Sequence, residues 1–195
     1  MIPKNLFGGK KMDNGTLAFS RYINGDSDAF AEIVDNCNEK LIFYINRFVN
    51  DLDVSEEIAA DCFVELIVHP KRFKFRSSIL TYLFSIAHNK CVNYIRRNSK
   101  IKKVPLSECE NISKEYKAFE DEIAKNESYR MLNAALNEIN NNYREALHLL
   151  YFEELSYEDI AKVMNKTVKQ IDNYCYRGKI ALKLKLEEWG FLYEE

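Results

Sequence analysis

Proline and glycine are scarce in this 195-residue chain, which contains three prolines and six glycines. Because both residues weaken or interrupt regular helices, their scarcity favours helical structure and argues against long disordered tracts. No stretch approaches the ~18 uninterrupted apolar residues of a membrane span. No apolar run follows the lysines near the N-terminus, so we expect neither a signal peptide nor insertion into a membrane.

The five cysteines are odd in number, widely spaced and never arranged as Cys-x-x-Cys. The three histidines also lie far from one another, so no metal site is predicted. We expect reduced and mostly buried thiols in a cytoplasmic protein. No residues suggest a nucleophile with its base, or a loop that would bind phosphate. The sequence therefore predicts no enzyme, no cofactor and no small-molecule substrate.

The net charge of −2 conceals a strongly uneven distribution of charge. Residues 26–65 hold eleven acidic and two basic residues, whereas residues 69–103 hold ten basic residues and no acidic one. A second basic block, residues 166–186, has six basic residues and one acidic residue. Two separate basic blocks suggest two contacts with a polyanion. The acidic block is either a solvated surface or a site for a basic protein partner.

Apolar residues recur at helical spacing through most of the chain, which predicts an all-α protein. Ser55 is a suitable N-cap for a third helix, with Glu56 and Glu57 in its first turn. Glu57, Asp61 and Glu65 are spaced by four residues, so they form one stripe on that helix. We call these three residues the acidic stripe.

A basic loop, residues 71–78, follows the His69-Pro70 pair that ends the third helix. Phe73 and Phe75 alternate with its cations. This composition suits single-stranded nucleic acid, because phosphates meet the charges and bases stack on the rings. The alternative is that the rings pack beneath the loop as part of the core, and we expect at least one of them to do so.

The fourth helix is predicted from Ile79 to about Asn98. One face is apolar, and the other carries uncharged hydrogen-bonding groups before it ends in arginines. Such groups can contact bases, while arginines contact phosphates. This face consists of Thr81, Ser85, His88, Asn89, Val92, Asn93 and Arg96.

Residues 155–174 are predicted to form a helix, a short turn and a second helix. Ser156 and Thr167 suit the two N-caps, and Asn165 can adopt the left-handed conformation that ends a helix. The second helix has a predicted buried stripe of Val168, Ile171, Cys175 and Leu182. Its opposite face carries Lys169, Gln170, Asn173, Tyr176 and Arg177, which is typical of a helix that reads the major groove. The alternative is an ordinary helical hairpin that binds nothing.

Changes in composition divide the chain into four segments. Residues 1–25 are predicted to be a flexible leader that also contains the start of the first helix, near Thr16. The sequence does not decide whether translation starts at Met1 or at Met12. A first domain covers 26–98, a linker 99–125, and a second domain 126–190.

Three blocks of sequence, in this order, resemble the extracytoplasmic-function (ECF) group of bacterial RNA polymerase sigma factors. The first is Glu56-Glu57-Ile58-Ala59-Ala60-Asp61-Cys62-Phe63, which looks like the acidic helix that docks on the largest polymerase subunit. The second covers residues 81–97 and is similar to the helix that reads the −10 promoter element. The third, residues 143–171, resembles the region 4 helix-turn-helix that reads the −35 element.

Several positions depart from the usual pattern of that group. Ala60 stands where glutamine is common, Tyr82 where tryptophan is usual, and His88 where arginine is usual. The turn Asn165-Lys166-Thr167 differs from Gly-Ile-Ser, and Asp172 occupies a position that is often basic. The resemblance therefore implies the architecture but leaves the promoter sequence open.

The resemblance implies two helical domains joined by a linker, region 2 and region 4, with three sets of site residues. The polymerase-binding set is Glu56, Glu57, Asp61 and Glu65. The −10 set is Lys71, Arg72, Lys74, Arg76, Ser77, His88, Asn89, Asn93, Arg96 and Arg97. The −35 set is Thr167, Lys169, Gln170, Asn173, Tyr174 and Arg177. The implied partners are core RNA polymerase, double-stranded and melted promoter DNA, and an anti-sigma factor.

Two other functions stay open at this point. A helix-turn-helix regulator that acts without joining polymerase would need only the C-terminal domain, and would leave the acidic stripe and the basic loop without a role. A helical scaffold that binds only proteins would show no salt-dependent binding to DNA.

Overall fold

The computed structural model describes residues 13–98 and 127–190, without the side chains of 127–129. The described residues form α-helices and no strand, which confirms the all-α prediction. A single 3₁₀ turn covers Pro70–Arg72. The helices are α1 (Asn14–Ile23), α2 (Ala29–Val49), α3 (Leu52–Val68), α4 (Ile79–Asn98), α5 (Glu127–Glu138), α6 (Asn141–Tyr151), α7 (Tyr157–Val163) and α8 (Val168–Glu188).

The chain divides into two compact units, residues 1–110 and 111–195. In the first unit α1 packs against both α2 and α4. The packed unit therefore already includes residues 13–25, which we had assigned to the leader and the first-helix start. Residues 1–12 and the predicted linker at 99–125 lie outside the described residues.

Helix α1 begins two residues before the predicted start, because Asp13 caps it by accepting a hydrogen bond from Thr16 N at 3.0 Å. The Thr16 hydroxyl is buried and accepts a hydrogen bond from Ile79 N at 2.9 Å, which joins α1 to the start of α4. The helices are so close here that a Cβ added to Gly15 would lie 2.7 Å from Ile79 Cγ2. Only glycine fits this position without a shift of its neighbours.

The prediction that Ser55 caps the third helix was wrong. Asp51 is the N-cap of α3 and accepts a hydrogen bond from Val54 N at 3.1 Å. Ser55 lies buried inside the helix, where its hydroxyl donates to the Asp51 carbonyl at 2.6 Å. Asp51 is an equally good cap and comes first in the chain, so Glu56 and Glu57 lie beyond the first turn.

Helix α4 has the predicted bounds, and Ser78 caps it by accepting a hydrogen bond from Thr81 N at 2.9 Å. Thr81 was predicted on the polar face, yet its relative exposure is 2%. Its hydroxyl lies 2.8 Å from the Ser78 hydroxyl, so this buried group is hydrogen-bonded at the cap. Thr81 therefore stabilises the start of the helix and does not face solvent.

The second unit packs α5, α6 and α7 against the long helix α8. Its core includes a cluster of Leu136, Ile139 and Leu147. Helix α6 approaches α8 at Gly178, where an added Cβ would lie 3.0 Å from Leu147 Cδ1.

The predicted buried stripe of α8 was correct at Ile171 and Cys175. It was wrong at Val168, which is 42% exposed, because the first residue of a helix points its side chain beyond the packed turns. Gly178 is a buried member of the stripe that we did not predict, and Leu186 is buried as well.

The four described cysteines, Cys37, Cys62, Cys91 and Cys175, are free and buried, as predicted; Cys109 lies outside the described residues. Burial raises the pKa of the Cys37 and Cys62 thiols to about 12. No helix in the described part of the chain is both long and apolar enough to cross a membrane. Residues 13–98 and 127–190 also contain no group of His, Cys, Asp and Glu that could hold a metal ion.

Candidate functional site

The acidic stripe lies on the exposed side of α3, and two of its carboxylates form ion pairs with basic residues of the same unit. Asp61 Oδ2 accepts a hydrogen bond from Lys90 Nζ of α4 at 2.9 Å. The Glu65 carboxylate pairs with the guanidinium of Arg72, in the turn that follows the helix. Glu57 is exposed and forms no ion pair with the residues that the structure describes.

Exposed apolar side chains lie beside these carboxylates on α3. Val64 is 54% exposed, Ile67 42% and Val68 60%. The helix therefore presents a mixed surface, in which aliphatic groups alternate with carboxylates. Protein interfaces typically combine an apolar centre with a polar rim in this way.

The basic loop keeps its charges outside and its rings inside. Lys71, Arg72, Lys74 and Arg76 are exposed, whereas Phe73 and Phe75 are only 4% and 8% exposed. The Phe73 and Phe75 rings lie 5.4 Å and 5.9 Å from the ring of Phe19 in α1. The expectation that at least one ring is buried is confirmed, and neither ring projects into solvent.

Phe75 adopts a left-handed backbone conformation, with φ of 56°. This conformation is costly for a bulky residue, so the surrounding packing must hold it in place. The ring cluster of Phe19, Phe73 and Phe75 supplies that packing.

A cavity of about 600 Å³ opens between the basic loop and the turn that joins α1 to α2. Its lining is mainly apolar, and Lys71, Tyr22 and Ser27 are the lining residues whose side chains carry a polar group. The remaining lining residues are Ile23, Gly25, Pro70, Phe73 and Phe75. A cavity of this kind can receive a flat apolar group that carries a nearby negative charge.

The polar face of α4 is largely accessible at its C-terminal end. Asn89, Asn93, Arg96 and Arg97 are exposed, and Arg96 Nη2 donates to Asn93 Oδ1 at 3.2 Å. Asn89 Nδ2 donates to a carbonyl of its own helix at 2.9 Å. The face thus offers amides and guanidiniums to solvent.

Two members of the −10 set are less accessible than those residues. His88 is half-buried, with its ring 6.4 Å from that of Phe48. Ser77 is also half-buried, and its hydroxyl donates to the Ser78 carbonyl at 3.2 Å.

Helices α7 and α8 form the predicted helix-turn-helix. Ser156 caps α7 by accepting a hydrogen bond from Asp159 N at 3.2 Å. Asn165 has φ of 52°, and the next residue, Lys166, donates its backbone N–H to the Ala161 carbonyl at 2.9 Å. These contacts confirm the predicted cap and the predicted left-handed turn residue.

Thr167 and Gln170 form a reciprocal capping box at the start of α8. Gln170 Oε1 accepts a hydrogen bond from Thr167 N at 2.9 Å, and Gln170 N donates to Thr167 Oγ1 at 3.2 Å. The box fixes the first turn of the helix, but it also occupies the amide oxygen that adenine recognition would require.

The outer face of α8 exposes Lys169, Asn173, Tyr176 and Arg177. Within the described ranges, Lys169 and Arg177 form no ion pair. Tyr174 is half-buried, with its ring 5.8 Å from that of Tyr143. It therefore packs within its own domain more than the other members of the −35 set.

Sequence reasoning missed a buried polar group in the second unit. His148 of α6 is 3% exposed, and its Nε2 lies 3.6 Å from Glu153 Oε1. The His148 ring also stacks on that of Phe152, with centroids 5.1 Å apart. The position of His148 in the sequence gave no indication that it is buried, because a polar residue on a short helix is ordinarily exposed.

Each of the two units matches a different family model. The family model for Sigma-70 region 2 matches residues 20–101, and the model for Sigma-70 region 4 matches residues 129–182. Together they cover most of the chain, in the order that the three sequence blocks predicted.

Curated relatives give the same result at the level of the whole chain. RNA polymerase sigma factor YlaC of Bacillus subtilis is 26% identical over 157 residues, which cover 80% of this chain and 91% of that protein. ECF RNA polymerase sigma factor SigW of the same organism is 27% identical over 177 residues, covering 84% and 92%. The ECF RNA polymerase sigma-E factor of Escherichia coli K12 is 25% identical, covering 86% and 91%.

Two solved structures share the fold. The sigma factor RpoE, in complex with the anti-sigma factor NepR from Bartonella quintana, gives a TM-score of 0.61 at 17% identity, covering 81% of this chain and 96% of that one. CnrH in complex with the cytosolic domain of CnrY gives a TM-score of 0.65 at 17% identity, covering 90% and 99%.

The fold, the two matched regions and the relatives define a bacterial RNA polymerase sigma factor. The chain belongs to the extracytoplasmic-function family of these proteins. It directs promoter-specific transcription initiation, with core RNA polymerase and promoter DNA as its partners.

Proposed function

We propose that the two domains divide the promoter between them, and that the first domain also carries the polymerase-docking surface. The observation that supports this most is the distribution of charge. The first unit carries an acidic stripe on α3 beside a basic loop and a basic end of α4. The N-terminal half of α8 instead exposes the cations Lys169 and Arg177 and the amide of Asn173, with Asp172 as an exposed acidic residue beside them. We take 13–98 and 126–190 as the domains and 99–125 as the linker.

The docking surface consists of Glu56 and the acidic stripe, with the exposed aliphatic groups of Val64 and Val68 beside it. A complementary basic helix of polymerase would be steered toward these carboxylates, and the aliphatic groups would be buried on contact. This combination gives both a fast encounter and a desolvated centre.

The basic loop and the end of α4 would hold the −10 element as it opens. Lys71, Lys74 and Arg97 are placed to meet phosphates, while Asn89 and Asn93 offer hydrogen bonds to bases. An unstacked base could enter the 600 Å³ cavity beneath the loop, where Lys71 lies beside an apolar lining. The base would contact the walls of this cavity, which include Phe73 and Phe75, and would not meet a ring that projects into solvent.

Helix α8 would lie in the major groove of the −35 element. Asn173 is the best candidate for reading adenine, since it lies on the exposed face and carries both an amide oxygen and an amide nitrogen. Gln170 has its oxygen in the capping box, so it offers only its amide nitrogen. Lys169 and Arg177 flank this position and can bind phosphates, and Arg177 can also reach a guanine.

The chain itself would perform no catalysis, because RNA synthesis belongs to the polymerase that it directs. We place it in the cytoplasm, where polymerase and DNA are found, and assign it no cofactor. RpoE and CnrH, which share its fold, were each solved with a protein partner. An anti-sigma factor is accordingly proposed as a further partner of this chain.

The docking proposal is tested by capture of core polymerase on the immobilised protein, followed by run-off transcription. Glu57→Lys combined with Asp61→Lys should abolish both, because the carboxylates become repulsive toward basic helices. Asp28→Lys combined with Asp35→Lys makes the same charge change on α2, at its exposed N-cap and at an exposed position inside the helix. This control should retain both capture of polymerase and run-off transcription. Circular dichroism checks that each variant is folded. Full capture by the Glu57 and Asp61 variant would contradict the docking surface.

A further inference from the structure

Asp172 is the one acidic residue of the second basic block, and it is exposed on α8 next to Asn173. It lies in the N-terminal part of the helix, which contacts base edges when such a helix occupies the major groove. Of the positions three or four residues away, only that of Lys169 is basic. The Asp172 carboxylate forms no ion pair or hydrogen bond with the residues that the structure describes. Its oxygens are therefore available to a partner outside the chain.

A carboxylate at a contact with DNA needs a hydrogen-bond donor, because it repels phosphate and loses its water when it is buried. The donors that bases present in the major groove are the N4 amino group of cytosine and the N6 amino group of adenine. Adenine has the acceptor N7 beside its donor, thymine presents an acceptor, and guanine presents two. A carboxylate has only acceptors, so it is satisfied by cytosine and opposed most strongly by guanine.

We propose that Asp172 selects cytosine at one position of the −35 element. The inference rests on the proposed placement of α8 in the major groove and adds a second base preference to that of Asn173. Neighbouring Cα atoms are about 3.8 Å apart and neighbouring bases of a strand about 3.4 Å, so the two preferences should lie within about two base pairs of each other. Lys169 and Arg177 bind phosphates nearby and offset the repulsion that Asp172 adds.

The assignment is tested by binding-site selection with the full-length protein and core polymerase on random-sequence duplexes, followed by sequencing. The wild type should enrich cytosine over guanine about tenfold or more at one position of the −35 element. Asp172→Asn keeps the size of the side chain and removes its charge, and should reduce this ratio to less than about threefold while other positions keep their preference. Glu187→Gln, the matched control, removes the same charge about 22 Å further along α8 and should match the wild type. An unchanged preference for cytosine in Asp172→Asn would overturn the assignment.

Two further comparisons identify the cause of any change. Anisotropy of the same complexes is measured on the selected duplex and on one with guanine in place of that cytosine. If Asp172→Asn tightened binding to both duplexes equally, the carboxylate would only repel phosphate, and the base contact would be overturned.

Asn173→Ala reports separately on the placement of α8 in the groove. A preference lost in that variant, together with an unchanged profile for Asp172→Asn, would overturn the cytosine contact and leave the placement intact. If neither variant changed the preference at any position, the placement itself would be overturned.

Discussion

The loop before α4 and the turn before α8 both contain a non-glycine residue in the left-handed region, and they stabilise it in different ways. Asn165 has φ of 52° and Phe75 has φ of 56°. Asparagine tolerates this conformation, and the Thr167 capping box follows at once, so local sequence is sufficient for the turn. Phenylalanine does not tolerate it, and ring packing against Phe19 of α1 holds the loop. The basic loop therefore depends on tertiary packing, whereas the turn before α8 depends on its neighbours in the chain.

Removal of the packing beneath the basic loop should have the largest effect on stability. Phe19→Ala leaves a cavity where a fully buried ring touched Phe73 and Phe75, and should lower the free energy of unfolding by about 3–5 kcal/mol. Leu17→Ala, at an exposed position of the same helix, should cost less than about 0.5 kcal/mol. Chemical denaturation measures both. If local sequence alone fixed the conformation of the basic loop, Phe19→Ala would leave the protease sensitivity of residues 71–78 unchanged.

Loss of a local contact at the turn before α8 should have a smaller effect on stability. Thr167→Ala removes the hydroxyl that accepts a hydrogen bond from Gln170 N and donates one to Gln170 Oε1, and should cost about 1 kcal/mol of stability. Thr167→Ser keeps the hydroxyl and is expected to match the wild type closely. The same denaturation experiment tests this pair. A cost as large as that of Phe19→Ala would show that the turn, too, depends on distant packing.

The smallest effect on stability should come from the outer face of α8, where the change appears in DNA binding instead. Asn173→Ala should weaken binding to a selected −35 duplex about tenfold and relax the base preference at one position. Gln170→Ala should retain that preference, because its oxygen serves the capping box. Binding-site selection followed by sequencing compares the two variants. A preference lost only in Gln170→Ala would assign the reading to that residue.

Features that depend on neighbouring residues were the ones predictable from sequence. The bounds of α4, the left-handed Asn165 and the caps at Ser156 and Thr167 were all correct. The prediction for Ser55 was wrong because two suitable capping residues, Asp51 and Ser55, are four positions apart, and periodicity does not distinguish between them. The roles of the site residues remain predictions, since neither the fold nor the relatives test them.

The orientation and pairing of individual polar side chains were not predictable. Thr81 belongs to the Ser78 cap instead of the polar face, and nothing in the spacing indicates which of two polar residues turns inward. The ion pair of Asp61 with Lys90 requires the packing of α3 against α4, and that of Glu65 with Arg72 requires the fold of the turn that follows α3. The spacing of residues in a single sequence does not indicate either pair.

The contact between Thr16 and Ile79 also has a consequence for biosynthesis. These residues are 63 positions apart, and the hydroxyl of one accepts the first backbone N–H of α4. Contacts of high sequence separation form only after the intervening chain has paid its loop-closure entropy. Before Ile79 has emerged from the ribosome, α1 can pack against α2, but Thr16 and Gly15 lack their contacts with α4. The first domain therefore closes after its last helix has emerged, and a nascent chain that stops short of Ile79 leaves uncovered the part of α1 that packs against α4.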